Sequence, residues 1–526
     1  MADESDRRGA RRGLVRQSGV TGVAAAAAVA SGLLLDVAIA AALGADASSD
    51  AFFAAATIPL GIVAIVMVAA NQALVPSIAT WLTTLGAPET RSLVAAITNW
   101  TAIAGFAIAA VVALLAGPLM RLTAPGFDPA TAALAADALR LLIFLAPLVM
   151  LAEVLRAHLN AHHHVVAPAA MNVVLNGVAA IVVVAAAEPD ARVVAGGYVI
   201  GGVAQLLYMG VMAWRIGWRW RPTLLRGHPA IAATARLVVR PIAGAGLNPV
   251  ARIGEQMFVS FLPAGSLTIM RYGYRLVSAV GGAVMFRSVM VALLPRLTKA
   301  TAAHREAQVR SLTSLGFRLI TLLSVCLAAL LAVLAQPAVV ALFRRGRFTA
   351  ADTALLGVTL AVYALSVPGS GIQRALLAPF FAALDTTTPL RNTVYGVAAN
   401  LAFIPVLLPL FGRTERAIIA VALAYSLAQY VNVAHAWERL HAGLGIRIEG
   451  AVRIVAQASA AGVAAAAVMV GCRALIDLGA IDGRWVLLGV TALIGVVGVA
   501  VFAAITAGLA LPDLRRLRGG GEAQPT

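Results

Sequence analysis

Several ionisable side chains occur inside long apolar stretches of this sequence. A charge at such a position costs at least ~2.5–3.5 kcal/mol in a bilayer and is usually paired or functional. Arg271 and Arg275 are four residues apart, so both project from one face of a helix. Two like charges cannot neutralise each other, and the pair therefore requires an anion: Glu255, Asp36 or a substrate phosphate. We expect Arg275 and Arg271, together with Arg252, to bind that anion.

Two acids complete the candidate site. Asp36 lies in a leucine-rich stretch with no cation near it in the sequence, so it requires a partner on another helix or a position in a cavity. Glu255 follows Arg252 by three residues. These two residues either form a local pair that only neutralises charge, or pair and release as the protein works.

Other polar residues in the apolar stretches are weaker candidates. Hydrogen bonding between helices is the alternative role of the amides, and we expect Arg140 and Arg156 to extend to the membrane surface. The secondary candidates for the site are Asp50, Arg374, Asn71 and Gln72.

Catalysis and cofactor binding find little support in the sequence. His158 and His162, His163 and His164 cannot all face one ion from a helix, and no cysteine or carboxylate ligand is adjacent to them. A P-loop, a dinucleotide-binding glycine motif and a catalytic triad are all missing from the sequence. We therefore expect a protein that is not an enzyme and has no cofactor, apart from a possible coupling ion, H⁺ or Na⁺.

The elements that position these residues are membrane-spanning helices. Of the 526 residues, 61% are hydrophobic and only 12% are charged, about half the charged share of a soluble domain. Apolar runs of roughly 20 residues cross ~30 Å of hydrocarbon. The sequence therefore predicts an all-α polytopic membrane protein with about 14 transmembrane helices, among them spans at 237–262 and 267–294.

The net charge of +17 comes from arginines in the connections between spans, which argues against nucleic-acid binding. Their bias toward alternate connections places both termini in the cytoplasm. The most basic connection either anchors the topology as a membrane-surface linker or binds anionic lipid. Its arginines are Arg215, Arg219, Arg221, Arg226, Arg236 and Arg240.

A weak internal repeat spans this connection. Asp36 and Glu255 are related by the same separation as two Ala-Leu-Val/Leu-Pro segments that end at Pro76 and Pro295. Two pseudo-symmetric six-helix lobes around a central cavity follow, related by an axis along the membrane normal. The predicted divisions are a cytoplasmic tail at 1–17, an N-lobe at 18–217, a basic linker at 218–236, a C-lobe at 237–440, two further spans at 450–511 and a cytoplasmic tail at 512–526.

Several short motifs resemble the MurJ/MviN lipid II flippase family over roughly residues 18–440. The motifs are Gly44-Ala45, Asp50-Ala51-Phe52-Phe53, Ile58-Pro59, Phe261-Leu262-Pro263-Ala264-Gly265-Ser266, Tyr272, Arg275-Leu276, Leu294-Pro295-Arg296-Leu297, Arg345-Gly346-Arg347-Phe348-Thr349-Ala350-Ala351-Asp352-Thr353 and Ala383-Leu384-Asp385-Thr386-Thr387-Thr388-Pro389.

The resemblance implies the fold of the multidrug/oligosaccharidyl-lipid/polysaccharide exporter superfamily. It implies two six-helix lobes in a V, two extra helices beside a groove for a lipid tail, and a bacterial cytoplasmic membrane location. The implied activity moves a polyprenyl-diphosphate-linked glycan to the outer leaflet by alternating access, driven by membrane potential or ion gradients. Membrane lipids and cell-envelope enzymes are the implied partners.

The sequence departs from the family pattern at four charged positions. The resemblance places a family arginine at Leu35 and another at Thr57, and family acids at Tyr274 and Ser278. Two alternatives therefore stay open beside the flippase. One is a cation-coupled small-molecule or drug exporter of the same superfamily, and the other is a non-transporting scaffold for cell-wall enzymes.

Overall fold

The computed structural model describes residues 23–24, 26–280, 286–412, 414–476, 481 and 483–518, without the side chains of 238–245, 280, 286–288, 291 and 508–518. The predicted tail at 1–17 lies outside these residues, and so does the end of the predicted tail at 512–526.

Helices make up the secondary structure of the described residues. The helices are α1 (Ala26–Leu43), α2 (Ala47–Ala69), α3 (Val75–Thr84), α4 (Ala87–Leu114), α5 (Ala116–Thr123), α6 (Pro129–Leu142), α7 (Leu145–Ala161), α8 (Val166–Ala185), α9 (Ala191–Arg215), α10 (Pro229–Ala245), α11 (Leu247–Val259), α12 (Ser266–Val280), α13 (Phe286–Ala302), α14 (Glu306–Phe343), α15 (Ala350–Ala364), α16 (Ser366–Ala382), α17 (Thr387–Leu407), α18 (Ile418–Leu444), α19 (Ala451–Leu475) and α20 (Arg484–Arg518). A π-helical turn, Ala70–Leu74, joins α2 to α3.

The predicted all-α polytopic class is confirmed. Among the described residues, 12 helical segments are long and apolar enough to cross a membrane. Of the two other predicted spans, the one at 237–262 is divided between α10 and α11, which meet at Gly246. The one at 267–294 contains most of α12 and the beginning of α13, and residues 281–285 of it lie outside the described residues.

The chain forms two compact units. The first comprises the residues up to Thr268 together with Arg345–Phe348, and the second comprises Ile269–Arg344 and Thr349–Thr526. The boundary lies after α11, beyond the predicted basic linker at 218–236, because α11 packs against α2 and α5.

An apolar core of the first unit lies where α3, α4, α7 and α9 meet. Trp81, Leu93, Leu155 and Met209 are buried there, and Trp218 closes the cluster from the connection after α9. This core fixes α7, which carries two charged residues described below.

The second unit is organised around α14, a helix of 38 residues. The final helices α19 and α20 pack on it through small residues, and Ala458 and Ala461 are buried against Leu322 and Phe502. The two predicted spans at 450–511 therefore belong to this unit.

Candidate functional site

The two arginines of α12 are placed as their spacing predicts. Arg271 is half-buried and Arg275 is exposed, one turn apart on the same helix of the second unit. Tyr272, which lies between them in the sequence, is buried. Its ring packs against the ring of Phe343, with the ring centroids 5.2 Å apart. The tyrosine anchors one face of α12, so the arginines are held on a helix of fixed rotation.

The three candidates of the first unit lie on α1 and α11. Asp36 is buried in α1 with 2% of its surface exposed. On α11, Nη1 of Arg252 donates to Oε2 of Glu255 at 2.7 Å. Glu255 is buried, whereas the Arg252 side chain keeps 17% of its surface exposed. The local pair that the sequence indicates is therefore formed, and its arginine retains an accessible edge.

Two amides of the first unit lie in the π-helical turn. Asn71 and Gln72 are both exposed, and Nδ2 of Asn71 donates to the carbonyl of Met67 at 2.9 Å. A π-helical turn widens the backbone and is found mostly at functional positions. These secondary candidates therefore lie at the one irregular turn within the long helical segment Ala47–Thr84.

A charged pair that the sequence analysis did not place in the site lies beside this turn. Nε of Arg156 donates to Oε2 of Glu153 at 2.7 Å, and its Nη1 donates to Oδ1 of Asn71 at 3.0 Å. Glu153 is fully buried and the Arg156 side chain is 12% exposed. Arg140, in contrast, is exposed and pairs with Asp137, and the expectation that Arg140 and Arg156 extend to the membrane surface stays a prediction. The signal for this pair was the three-residue spacing that also marks Arg252 and Glu255.

The last secondary cation, Arg374, is exposed on α16 of the second unit. Its neighbour Gln373 donates to Oδ1 of Asn392, and Nδ2 of Asn392 donates to the carbonyl of Asn432 at 2.8 Å. Nδ2 of Asn392 also lies 3.0 Å from Nδ1 of His435. These amides join α16, α17 and α18, which is the interhelical role expected of such groups.

Asp50 has a structural position at the start of α12. Its Oδ2 accepts from the backbone N–H of Gly265 at 2.9 Å, and its Oδ1 accepts from the N–H of Thr268 at 2.8 Å and from Oγ1 of Thr268 at 2.6 Å. A buried carboxylate thus satisfies the first amide groups of a helix that is distant in sequence. Two of the sequence motifs, around Asp50 and around Gly265, therefore meet in one capping contact.

A third sequence motif, the arginine–glycine segment that begins at Arg345, contacts the end of α1. The N–H of Arg347 donates to the carbonyl of Ala41 at 2.9 Å. Gly346 has φ +57°, and a Cβ there would overlap the carbonyl oxygen of Ala41. Gly44 has φ +74° and lies against the carbonyl of Arg347 in the same way. The arginine–glycine motif is therefore a close backbone joint, which only glycine permits at these two positions.

Comparison with known proteins decides the family. A family model described as "Lipid II flippase MurJ" matches residues 39–488. The chain belongs to the MurJ lipid II flippase family. A probable lipid II flippase MurJ from Buchnera aphidicola subsp. Acyrthosiphon pisum is 23% identical over 407 residues, covering 76% of this chain and 78% of that protein. A probable lipid II flippase MurJ from Vibrio cholerae serotype O1 is 25% identical over 246 residues, covering 47% of this chain, and the match spans 46% of that relative's length.

Solved structures agree on the fold. The structure titled as lipid II flippase MurJ in an inward closed conformation superposes with a TM-score of 0.74 at 17% identity, covering 93% of this chain and 99% of that chain. An inward-facing multidrug resistance MATE family transporter of the MOP superfamily superposes with a TM-score of 0.63 at 13% identity, covering 78% and 95%. This MurJ-family chain is thus a multi-pass membrane protein with the fold that the resemblance implies.

In the first unit of this MurJ-family chain, neutral side chains occupy the two positions, Leu35 and Thr57, at which the resemblance places arginines. Thr57 donates to Oε1 of Gln256, a fully buried side chain whose Nε2 donates to Oγ1 of Thr123 at 3.3 Å. Leu35 is fully buried. A neutral hydrogen-bonded set and a core leucine therefore stand where the resemblance places arginines.

The corresponding departure on α12 is filled by an aromatic cluster. The ring of Tyr274 lies 5.4 Å from Tyr425 and 6.4 Å from Tyr363, both edge-on. Edge-to-face rings attract through their quadrupoles. Tyr274 therefore packs among aromatic rings of the second unit at the position where the resemblance places an acid. The residue that precedes Arg275 in the sequence is thus aromatic and not acidic.

Proposed function

We propose that this protein is a flippase that moves a polyprenyl-diphosphate-linked glycan, lipid II or a related cell-envelope precursor, from the inner to the outer leaflet by alternating access. Membership of the MurJ family and the fold support the proposal. The observation that carries it is the exposed residue Arg275, one turn from Arg271 on an anchored helix.

The physical task of such a protein is to carry a multiply charged head group through hydrocarbon. Unaided transfer of an ionised group into an apolar medium is prohibitive. A guanidinium binds a phosphate through charge-assisted and often bidentate hydrogen bonds, and the lipid tail remains in the bilayer throughout. In this proposal Arg275 and Arg271, together with Arg252, bind the diphosphate.

The buried acids act as exchange partners for these arginines. Glu255 holds Arg252 at 2.7 Å, and the Arg252 side chain keeps 17% of its surface exposed. A phosphate that approaches competes for the guanidinium, and Glu255 takes it back when the head group leaves. Asp36, buried in α1, has the same role toward an arginine in one of the transport states.

The proposal places the protein in the bacterial cytoplasmic membrane with both termini in the cytoplasm. Its basic connections then face the side on which arginines accumulate. Its substrate is a lipid-linked glycan, its surroundings are membrane lipids, and cell-envelope biosynthesis enzymes supply and consume the substrate. It acts as a transporter and not as an enzyme.

The test is complementation of a bacterium depleted of its own lipid II flippase. Arg275→Gln removes the charge and keeps hydrogen-bonding capacity, and we expect rescue to be lost at a normal level of protein in the membrane. Arg310→Gln is the matched control, because Arg310 is exposed and pairs only one turn along its own helix with Glu306. Full rescue by Arg275→Gln would refute the assignment of this residue.

The superposition on a multidrug transporter keeps a cation-coupled exporter as the second candidate. The two differ in the sign of the substrate charge. Efflux of cationic drugs by the wild-type chain that depends on Asp36, together with failure to rescue the depleted cells, would favour the exporter. Failure of both assays with cell-wall enzymes still recovered as partners would favour the scaffold.

A further inference from the structure

A groove of about 500 Å³ lies within the first unit. It is bounded by α4, α7, α9 and the connection that follows α9. Its floor is aliphatic and includes Leu151, Leu155, Leu207 and Val211. The volume and the apolar floor suit a stretch of hydrocarbon chain.

Three indole rings line one end of this groove: Trp214, Trp218 and Trp220. Trp220 donates from Nε1 to Oδ1 of Asn99 at 2.9 Å. Nδ2 of Asn99 in turn donates to the carbonyls of Arg221 and Thr223, both at 2.7 Å. The connection is therefore fixed to α4, and this end of the groove has a built wall. Tryptophan is enriched where a membrane protein meets the head-group region.

The same end of the groove is basic. The guanidinium of Arg219 lies 4.6 Å from the centroid of Trp214 and donates from Nη1 to the carbonyls of Trp214 at 2.7 Å and Trp218 at 3.0 Å. These contacts hold Arg219 against Trp214 and Trp218, which line the groove, and Arg219 is exposed. Arg215 and Arg221 are exposed beside it in the sequence.

The sequence supplies no acids to neutralise this charge locally. Between Asp190 and Glu255 there is neither aspartate nor glutamate, although the segment carries a series of arginines. Glu89 of α4 reaches the connection at His228, where its Oε1 lies 3.5 Å from Nε2 of the histidine. A basic mouth over an apolar groove is complementary to a molecule with an anionic head and an aliphatic tail.

We propose that this groove binds one acyl chain of an anionic phospholipid, with its phosphate held by Arg219 and the neighbouring arginines. An acyl chain gains little by leaving other lipids for an apolar groove, so the head group supplies the selectivity. None of the residues that line the groove is assigned to the diphosphate, so the proposed lipid site does not depend on that assignment.

The groove can be filled without disturbing its walls. A Cβ added to Gly210, which lines the groove, meets no atom within 4 Å, so Gly210→Leu places a side chain into the space for the acyl chain. Gly196 lies on the same helix, is equally open, and does not line the groove. Gly196→Leu is therefore the matched control for any general effect on α9.

The experiment uses the full chain in vesicles of phosphatidylcholine that contain brominated phosphatidylglycerol or brominated phosphatidylcholine, and it measures quenching of tryptophan fluorescence. We expect the wild type to bind phosphatidylglycerol about five-fold or more tightly than phosphatidylcholine, because one or more basic side chains contact the anionic head group. Arg219→Gln abolishes the preference, Gly210→Leu lowers quenching by phosphatidylglycerol to the level of phosphatidylcholine, and Gly196→Leu changes neither.

Equal quenching by the two brominated lipids in the wild type would overturn the proposal. A preference that survives both Arg219→Gln and Gly210→Leu would overturn it as well. If Arg219→Gln alone abolishes the preference, the arginines attract the head group but the groove does not hold the chain, and the proposed site is refuted. The lipid-binding results and the complementation assay of Arg275→Gln can fail independently, because neither Arg219 nor Gly210 lies on α12.

Discussion

Arg156 of α7 donates to Oδ1 of Asn71 at 3.0 Å, and this hydrogen bond ties a buried ion pair to the π-helical turn that joins α2 and α3. Glu153 is the acid of the pair, and its Oε1 accepts no hydrogen bond. A buried pair with incomplete hydrogen bonding is weak evidence for stability, since desolvation offsets the attraction between the charges. The pair therefore indicates a functional role in the first unit and not a stabilising one.

We expect the two halves of this pair to respond differently to mutation. Arg156→Leu leaves the buried Glu153 carboxylate without its cation, so the free energy of unfolding falls by roughly 3–5 kcal/mol. The double variant Glu153→Met/Arg156→Leu recovers most of that loss, because both charges are removed together. Thermal unfolding of the purified protein in one detergent measures both. Equal destabilisation of the single and double variants would contradict the ion-pair account.

Asp50 provides a second test, because one carboxylate serves three donors. Asp50→Ala leaves the buried N–H groups of Gly265 and Thr268 without acceptors, and we expect stability to fall by about 3 kcal/mol or more. Asp46→Ala is the control. Asp46 caps α2 locally through two amides, and its loss costs about 1 kcal/mol. Similar losses in unfolding temperature for the two variants would argue against the capping of α12 from a distance.

The arginine–glycine joint makes a prediction with a closely matched control. Gly346→Ala places a methyl group into the carbonyl of Ala41, whereas Gly412→Ala has an equally left-handed φ of +66° with no atom within 4 Å. Both variants have a strained backbone, which costs of order 1–3 kcal/mol. Only Gly346→Ala also forces α1 and the turn apart, so its melting temperature falls further. Indistinguishable melting temperatures would mean that the turn moves without cost.

The sequence is informative about what local spacing determines. Apolar runs predicted the helical membrane class, and three-residue spacing predicted the pair Arg252–Glu255, which the structure contains. The same spacing was present at Glu153 and Arg156. The third partner, Asn71, is 85 residues away in the chain, so no local pattern could indicate it.

Long-range backbone contacts were equally hidden. The acceptor for the amide of Gly265 is Asp50, 215 residues earlier in the chain. In a sequence, a carboxylate within an apolar stretch has the same pattern whether it binds a ligand or caps a helix. The break at Gly246 within the predicted span at 237–262 also escaped detection, because hydropathy is insensitive to where a helix is interrupted. Composition therefore predicted the class, while the particular joints depended on tertiary packing.

The connection before α17 predicts a dependence of stability on pH. Asp385 accepts from Oγ1 of Thr388 at 2.6 Å and from the N–H groups of Thr387 and Thr388, and these hydrogen bonds lower the pKa of its carboxyl, the Thr388 hydroxyl most of all. Since the folded-state pKa is below the unfolded one, the stabilisation is complete above an ordinary aspartate pKa of ~3.9 and is lost as pH falls through the lowered value.

Asp385→Asn keeps a capping oxygen that does not titrate, and Thr388→Val removes the hydroxyl that contributes most to the lowered pKa. We expect both variants to be less stable than the wild type at pH 7, by about 1 kcal/mol for the cap. Because the linked proton is gone or its pKa is restored, the difference from the wild type shrinks as the pH is lowered below ~4. Melting temperatures measured from pH 7 to pH 3 check this. A constant difference across that range would show that the Asp385 carboxylate stabilises the turn by its shape alone, without its charge.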